Sequence, residues 1–242
     1  MQIKIISWNI WIGKHLDEVI DYLKEADADI IGLQEVTEKE TAEGKVNLAK
    51  QIADALGYEF VFCNFFRTDR HTPSYDYGDA ILSRYPIQSS SCHLLSTMDT
   101  YTGNHTTEPR GVVEVEIVKE DATFKVFSTH LAHPGNETES QLRATQLAKL
   151  MQIIPDSNAI LLGDFNAPVA AHEMQQLTQK LANADAHPTQ PTAYLYPSPT
   201  RTIEDGLLYR IDHIFVSKEI TVKEFAVGES KASDHLPIMA II

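Results

Sequence analysis

The sequence predicts an α+β fold: two β-sheets packed face to face, with helices on the outside. Three observations carry that prediction. About ten short apolar or alternating segments stand against four stretches of helical spacing, too many strands for a doubly wound parallel sheet. The two kinds of segment follow one another irregularly. No Gly/Ser tract, charge block, low-complexity segment or internal repeat divides the chain, so residues 1–242 read as one domain.

The elements follow in order. Residues 3–8 alternate apolar side chains and read as a strand. Leu16, Val19, Ile20 and Leu23 recur at helical spacing and give an amphipathic helix. Residues 29–33 form a short apolar strand, and 46–56 a helix stopped by Gly57. Residues 58–63 and 79–83 read as strands. Residues 112–118 and 124–129 make a hairpin around 119–122. Leu142, Leu147, Leu150 and Ile154 mark a third helix, and Met174, Leu177 and Leu181 a fourth. Between them 159–162 is a buried strand, and 211–217, 220–227 and 236–242 are the last strands. Residues 64–77, 96–110 and 185–210, rich in Thr, Pro, Tyr and Arg, read as long loops, which in a compact domain are often functional.

Composition narrows the function. Hydrophobic residues make up 43% of the chain, and Gly and Pro number 11 each, which excludes disorder as the main state. The 34 acidic and 20 basic residues leave a net charge of −14. That argues against a protein that coats nucleic acid, because neutralising phosphates needs a Lys/Arg surplus. Cys63 and Cys92 are too few for a disulfide framework and lack metal-ligand spacing, so two thiols in a reduced, cytoplasmic setting are expected. No apolar run is long enough to span a membrane, and none reads as a targeting segment.

The polar residues at strand ends carry the chemistry. Asn9, Glu35, His130, and the pair Asp164 and Asn166 each follow a core strand. In the last part of the chain the order reverses, and Asp212 opens a strand while Asp234 and His235 precede one. If the late strands run antiparallel to the early ones, all these residues meet at one edge. Singly, each is an ordinary turn former or a solvated acid. Together they supply what phosphoryl chemistry uses: oxygen ligands for Mg²⁺, a base for water, and an imidazole that meets phosphate. Glu35 and Asp234 offer oxygen ligands. Asp164 and Asn166 can both point at a water. His235 can touch phosphate if Asp212 accepts a hydrogen bond from its other ring nitrogen, which fixes the tautomer and raises the imidazole pKa.

These segments resemble the endonuclease/exonuclease/phosphatase superfamily. The matching pieces are Ser7-Trp8-Asn9-Ile10, Leu33-Gln34-Glu35-Val36, Gly78-Asp79-Ala80-Ile81-Leu82-Ser83, Ser128-Thr129-His130-Leu131, Gly163-Asp164-Phe165-Asn166, Arg210-Ile211-Asp212-His213-Ile214 and Ser233-Asp234-His235-Leu236-Pro237. They occur in the family's order from residue 7 to residue 237. The resemblance implies a four-layer α/β/β/α sandwich of two mostly antiparallel sheets, and Mg²⁺-dependent phosphoester cleavage, with Mn²⁺ as an alternative metal. It makes Glu35 the principal metal ligand, with Asn9 and Asp234 as its neighbours. Asp164 orients or deprotonates water beside Asn166, His235 held by Asp212 contacts phosphate, and His130 is the second histidine. Arg110 matches a basic position that contacts phosphate. His213 stands where abasic-site endonucleases usually carry an aromatic residue, which points away from DNA repair.

The leading expectation is a hydrolase of a compact phosphoester, a small molecule or lipid headgroup, by direct attack of water. A nuclease is the first alternative, and a basic groove built by Arg67, Arg70, Arg84, Arg110, Arg201 and Arg210 would favour it. A zinc hydrolase using His130-Leu131-Ala132-His133 and a non-catalytic binding module are the others.

Overall fold

The computed structural model describes residues 2–68, 74–135, 140–194, 196 and 207–242. Among the described residues it contains thirteen strands: β1 (Lys4–Asn9), β2 (Ile30–Thr41), β3 (Gly44–Asn47), β4 (Glu59–Thr68), β5 (Tyr75–Ser83), β6 (Ile87–Leu94), β7 (Gly111–Lys119), β8 (Ala122–His130), β9 (Ala159–Asp164), β10 (Leu181–Asn183), β11 (Asp212–Ser217), β12 (Glu224–Val227) and β13 (Ile238–Ile241). Four α-helices accompany them: α1 (Leu16–Ala26), α2 (Leu48–Leu56), α3 (Gln141–Ile153) and α4 (Gln175–Lys180).

Period-two alternation sorts the side chains into layers. In β1, Ile5 joins the cluster between the sheets, while Ile6 and Trp8 face α1 and α2. In β9, Ile160 and Leu162 face inward and Leu161 faces α3 and α4. β2, β8 and β11 repeat the pattern with Ile30 and Ile31, Val126 and Phe127, and Ile214 and Phe215. Strands that are apolar on both faces must be covered on both faces, and the four-layer sandwich covers them.

The first sheet runs β12-β13-β1-β2-β5-β4, with β3 paired to β2, and the second runs β10-β11-β9-β8-β7-β6. Each contains one parallel pair, β1 with β2 and β8 with β9, among antiparallel neighbours. β13 is antiparallel to β1 and β11 is antiparallel to β9. The starts of the late strands therefore lie beside the ends of the early ones, as the polar pattern requires.

Several expectations change. Residues 64–77 are not one loop: Asn64–Thr68 continues β4 and Tyr75–Tyr77 opens β5, with 69–73 outside the described residues. The pairing shifts by one residue opposite Gly78, where a Cβ would lie 1.8 Å from the Cys63 carbonyl oxygen, so only glycine fits. The helix expected from residue 46 begins at Leu48, because Asn47 caps it by accepting the Lys50 N–H; Gly57 ends it with φ 72°. Leu181 ends no helix but opens β10. The two cysteines are bonded to each other. Their Cα atoms are 5.7 Å apart, and the bridge ties β4 of one sheet to β6 of the other. The reduced setting inferred from two free thiols loses its ground. Among the described residues no helix is long and apolar enough to cross a membrane.

Candidate active site

Register alone brings half of the site together. Asp164 ends β9; His130 is its partner on parallel β8, and Asp212 is its partner on antiparallel β11. On the other sheet, Asn9 at the end of β1 pairs with Gln34 of β2. Glu35 follows at a β-bulge, where β2 carries two residues, Gln34 and Glu35, against Asp79 of β5. Glu35 has φ 58°, a conformation uncommon outside glycine and characteristic of bulges beside functional sites. The chain turns back to β13 through Ser233, whose hydroxyl donates to the Asn9 carbonyl at 2.7 Å, so Asp234 and His235 reach the same edge.

Asn9 joins the sheets. Its side-chain nitrogen donates to Glu35 Oε1 at 3.2 Å and to Asp164 Oδ2 at 3.1 Å, while its oxygen accepts the Trp11 N–H at 3.1 Å. The backbone contact fixes the amide orientation and turns the nitrogen toward the carboxylates. Asp164 Oδ1 accepts the Asn166 N–H at 2.9 Å. Asp164 Oδ2 also faces His130 Nε2 at 3.4 Å and His235 Nε2 at 3.8 Å.

The two imidazoles have opposite surroundings. His235 Nδ1 donates to both Asp212 oxygens, at 3.0 and 3.1 Å, and Thr192 Oγ1 donates to Asp212 Oδ2 at 2.5 Å. Burial works against a charged His235, but Asp212 and then Asp164 overcome it and hold the pKa well above the ordinary value. Burial likewise pushes Asp212 up, and the adjoining His235 and Thr192 contacts bring it below the ordinary value. His130 Nδ1 instead faces Arg110 Nη1 at 3.1 Å. Guanidinium has no acceptor, so Nδ1 accepts, while Nε2 lies between the Asn166 amide nitrogen at 3.0 Å and Asp164 Oδ2 at 3.4 Å. Burial first, then Arg110, holds the His130 pKa well below the ordinary value.

Burial raises Asp164 to about 7 against the opposing pull of His235. Half-buried Glu35 is raised by burial and then by the nearby Asp234 carboxylate. A divalent cation relieves such a pair, and carboxylates with an amide neighbour are a hard-oxygen set suited to Mg²⁺. Donor atoms of Asp164, Asp212 and His235 also lie within 4.8 Å of one another, with His235 Nδ1 bonded to Asp212 and Nε2 3.8 Å from Asp164 Oδ2.

All nine residues singled out from the sequence thus belong to one edge of the sandwich. Arg110 sits deeper than a phosphate-contacting side chain need be: it is 5% exposed, and its guanidinium also meets Tyr77 OH at 3.5 Å and Glu108 at 3.4 Å. The pair His130 and His133 does not form a metal site, since donors face both nitrogens of His130, and His133 Nδ1 accepts the Gly135 N–H at 2.9 Å. His213 donates through Nε2 to the Ala167 carbonyl at 3.0 Å and packs between Phe165 and Phe215. Thr192 and Asp79 were not singled out for a role. Asp79 is buried, its Oδ2 lacks a hydrogen-bond partner, and burial raises its pKa well above the ordinary value. Its place beside Gly78 in a matching segment was the available signal; Thr192 had none, lying in a stretch read as a loop.

A family model described as the endonuclease/exonuclease/phosphatase family matches residues 6–235. The chain belongs to this family. Its members are generally hydrolases acting on phosphoester bonds. YbhP of Escherichia coli (strain K12), an uncharacterized protein, is 28% identical, covering 94% of this chain and 88% of YbhP. The endonuclease/exonuclease/phosphatase structure from Beutenbergia cavernae superposes with a TM-score of 0.80 at 18% identity, covering 99% of this chain and 71% of that one. A mannosyl-6-phosphatase from Bacteroides thetaiotaomicron superposes with a TM-score of 0.71 at 20% identity, covering 99% of both chains. At these identities the two structures show the shared fold of the family.

Proposed function

We propose that the chain, acting as a single domain, is a Mg²⁺-dependent phosphoesterase that hydrolyses a compact phosphoester by direct attack of water. The observation that carries this reading is the convergence of Asn9, His130 and His235 on one oxygen of Asp164, beside the Glu35 and Asp234 carboxylates. Glu35 and Asp234 would hold Mg²⁺, with Asn9 as their neighbour and Mn²⁺ as a substitute. When bound there, the ion supplies Lewis-acid stabilisation of charge on the phosphoryl oxygens. Asp164, anchored through Oδ1 by the Asn166 N–H, takes the proton of the attacking water at Oδ2. His235, kept cationic by Asp212, donates from Nε2 to a phosphoryl oxygen. His130, neutral and fixed by Arg110, orients Asp164. Arg110 therefore acts through His130 in this reading, and its charge adds to the field at the phosphate from a distance.

The charge distribution supports a small ester, a metabolite or lipid headgroup, over duplex DNA. Arg67 pairs with Asp76 at 3.1 Å, and Arg210 is buried against Asp185 at 3.0 Å. Arg84 pairs with Asp27 at the start of β2, away from the cleft. Arg70 and Arg201 lie outside the described residues. The described arginines thus form no basic groove of the kind a nuclease needs.

The test assays purified protein with Mg²⁺ on plasmid DNA, RNA and simple phosphomonoesters and diesters at two salt concentrations. Turnover of small esters is expected. Plasmid nicking that collapses as salt rises, without turnover of small esters, moves the protein to the nuclease branch. Glu35→Gln is expected to keep the fold and to weaken Mg²⁺ binding by calorimetry, with turnover lost in parallel. Unchanged affinity and full activity would remove Glu35 from the metal site.

A further inference from the structure

α3 buries two polar side chains completely, Arg143 and Gln146. Three residues apart, they share one face of the helix. Gln146 Oε1 accepts the Ala132 N–H at 2.9 Å, and its Nε2 donates to Ser96 Oγ at 2.9 Å. The same Ser96 oxygen accepts the Arg110 N–H at 3.0 Å. Arg143 Nη1 donates to the Asn166 carbonyl at 2.7 Å and the Ala132 carbonyl at 3.4 Å. Its Nε donates to Glu173 Oε1 at 2.9 Å. Two side chains one turn apart therefore grip the backbone at Asn166, two residues beyond His130, and, through Ser96, at Arg110. These segments are far apart in sequence and meet only at the cleft. A purely structural helix face buries leucines at such positions, because an enclosed amide or guanidinium costs free energy unless every polar atom is met.

We propose that Arg143 and Gln146 are positioning residues, which set His130, Asn166 and Arg110 in register from α3 without touching substrate. The inference rests on the hydrolytic reading of the cleft. Displacing a reacting group by about 1 Å lowers turnover by about 100-fold, so a strut of this kind governs kcat more than KM.

Two folded variants test it. Arg143→Met combined with Glu173→Gln removes the buried ion pair as a unit, so no unpaired charge is left inside. Gln146→Met keeps the side-chain length. Each is compared with the wild type for Tm, for the imidazole nitrogen resonances of His130, for hydrogen exchange at the Ala132 amide, and for hydrolysis of bis(p-nitrophenyl) phosphate with Mg²⁺. The expected result is a folded protein with Tm lowered by about 2–10 °C for the backbone groups left unpaired, shifted His130 resonances, faster exchange at Ala132, and kcat lower by about 10–100-fold with KM little changed. Folded variants with wild-type kcat and unchanged His130 resonances overturn the proposal. If the paired variant does not fold, Gln146→Met decides by the same readouts. If the wild type itself does not hydrolyse the ester, the activity reading fails for that substrate, and the His130 resonances and Ala132 exchange decide the inference alone.

Discussion

His235 and His130 occupy the same cleft, both buried, with their Nε2 atoms 3.8 and 3.4 Å from the same oxygen of Asp164. Their chemistry diverges at the far nitrogen. Asp212 behind His235 stabilises a cation, whereas Arg110 behind His130 forbids one. Burial penalises charge on both rings, and the partner decides whether that penalty is reversed or deepened. One residue type thereby supplies a donor cation on one side of Asp164 and a neutral orienting group on the other. A site built this way separates its acid and base roles by environment rather than by residue identity.

The largest expected break falls on the His235 side. Asp212→Asn and His235→Ala should each lower turnover by roughly 10²–10⁴-fold, and the double variant should be scarcely worse than the poorer single one. Additive losses in the cycle would mean that the two do not act as a unit. A smaller effect is expected opposite it. Arg110→Gln withdraws the cation from His130, so NMR titration should find the His130 pKa moved upward toward the ordinary value, with turnover down by about tenfold. An unmoved pKa would assign the depression to burial alone.

The pH profile sharpens the same contrast. In the proposed mechanism turnover needs Asp164 as a carboxylate, and burial raises its pKa to about 7, so activity should rise as pH climbs through that value; a cation bound nearby would shift this limb downward. Turnover then falls when His235 loses its proton, above the ordinary histidine range. A profile without a rising limb between pH 4 and 8 would contradict the Asp164 assignment, and one without a fall up to pH 10 would contradict that of His235.

His213 completes the series, with no effect on turnover at neutral pH. Burial lowers its pKa from 6.5 to about 4. Between those values the unfolded chain binds a proton that the folded one refuses. Stability is therefore full above about pH 6.5 and is lost as pH falls toward 4, by roughly 3 kcal/mol at most. Denaturant melts at pH 7 and pH 5 measure the loss, and His213→Phe should flatten it.

The site was legible because its chemistry sits where strands end. Asn9, His130 and Asp164 each close a largely apolar strand segment, interrupted only by small hydroxyl residues before Asn9 and His130, and the reversed order at Asp212 and His235 announces antiparallel return strands. What escaped lacks that contrast. β6 is an edge strand, Gln88 through Cys92 are exposed, and its Ser-rich stretch carries no apolar alternation. The extensions of β4 and β5 read as loop although Phe65, Phe66 and Tyr75 are buried, because the register shift opposite Gly78 breaks the alternation that marks a strand. Arg143 and Gln146 look like solvated helix residues in sequence, since burial of a polar side chain is decided by partners from other segments. The cysteine pair escaped because 29 residues separate its members, and spacing alone does not report that β4 and β6 face each other across two sheets.

β13 lies between β12 and β1, and Trp8 of β1 donates its indole N–H to the His235 carbonyl across 227 residues of chain. That flank of β1 stays open during synthesis until Ile238–Ile241 has been made. Asn9 and Glu35 are therefore synthesised long before Asp234 and His235. The proposed active edge needs both ends of the chain, so a polypeptide truncated before residue 234 is expected to carry Asn9, Glu35 and Asp164 without the imidazole that Asp212 holds.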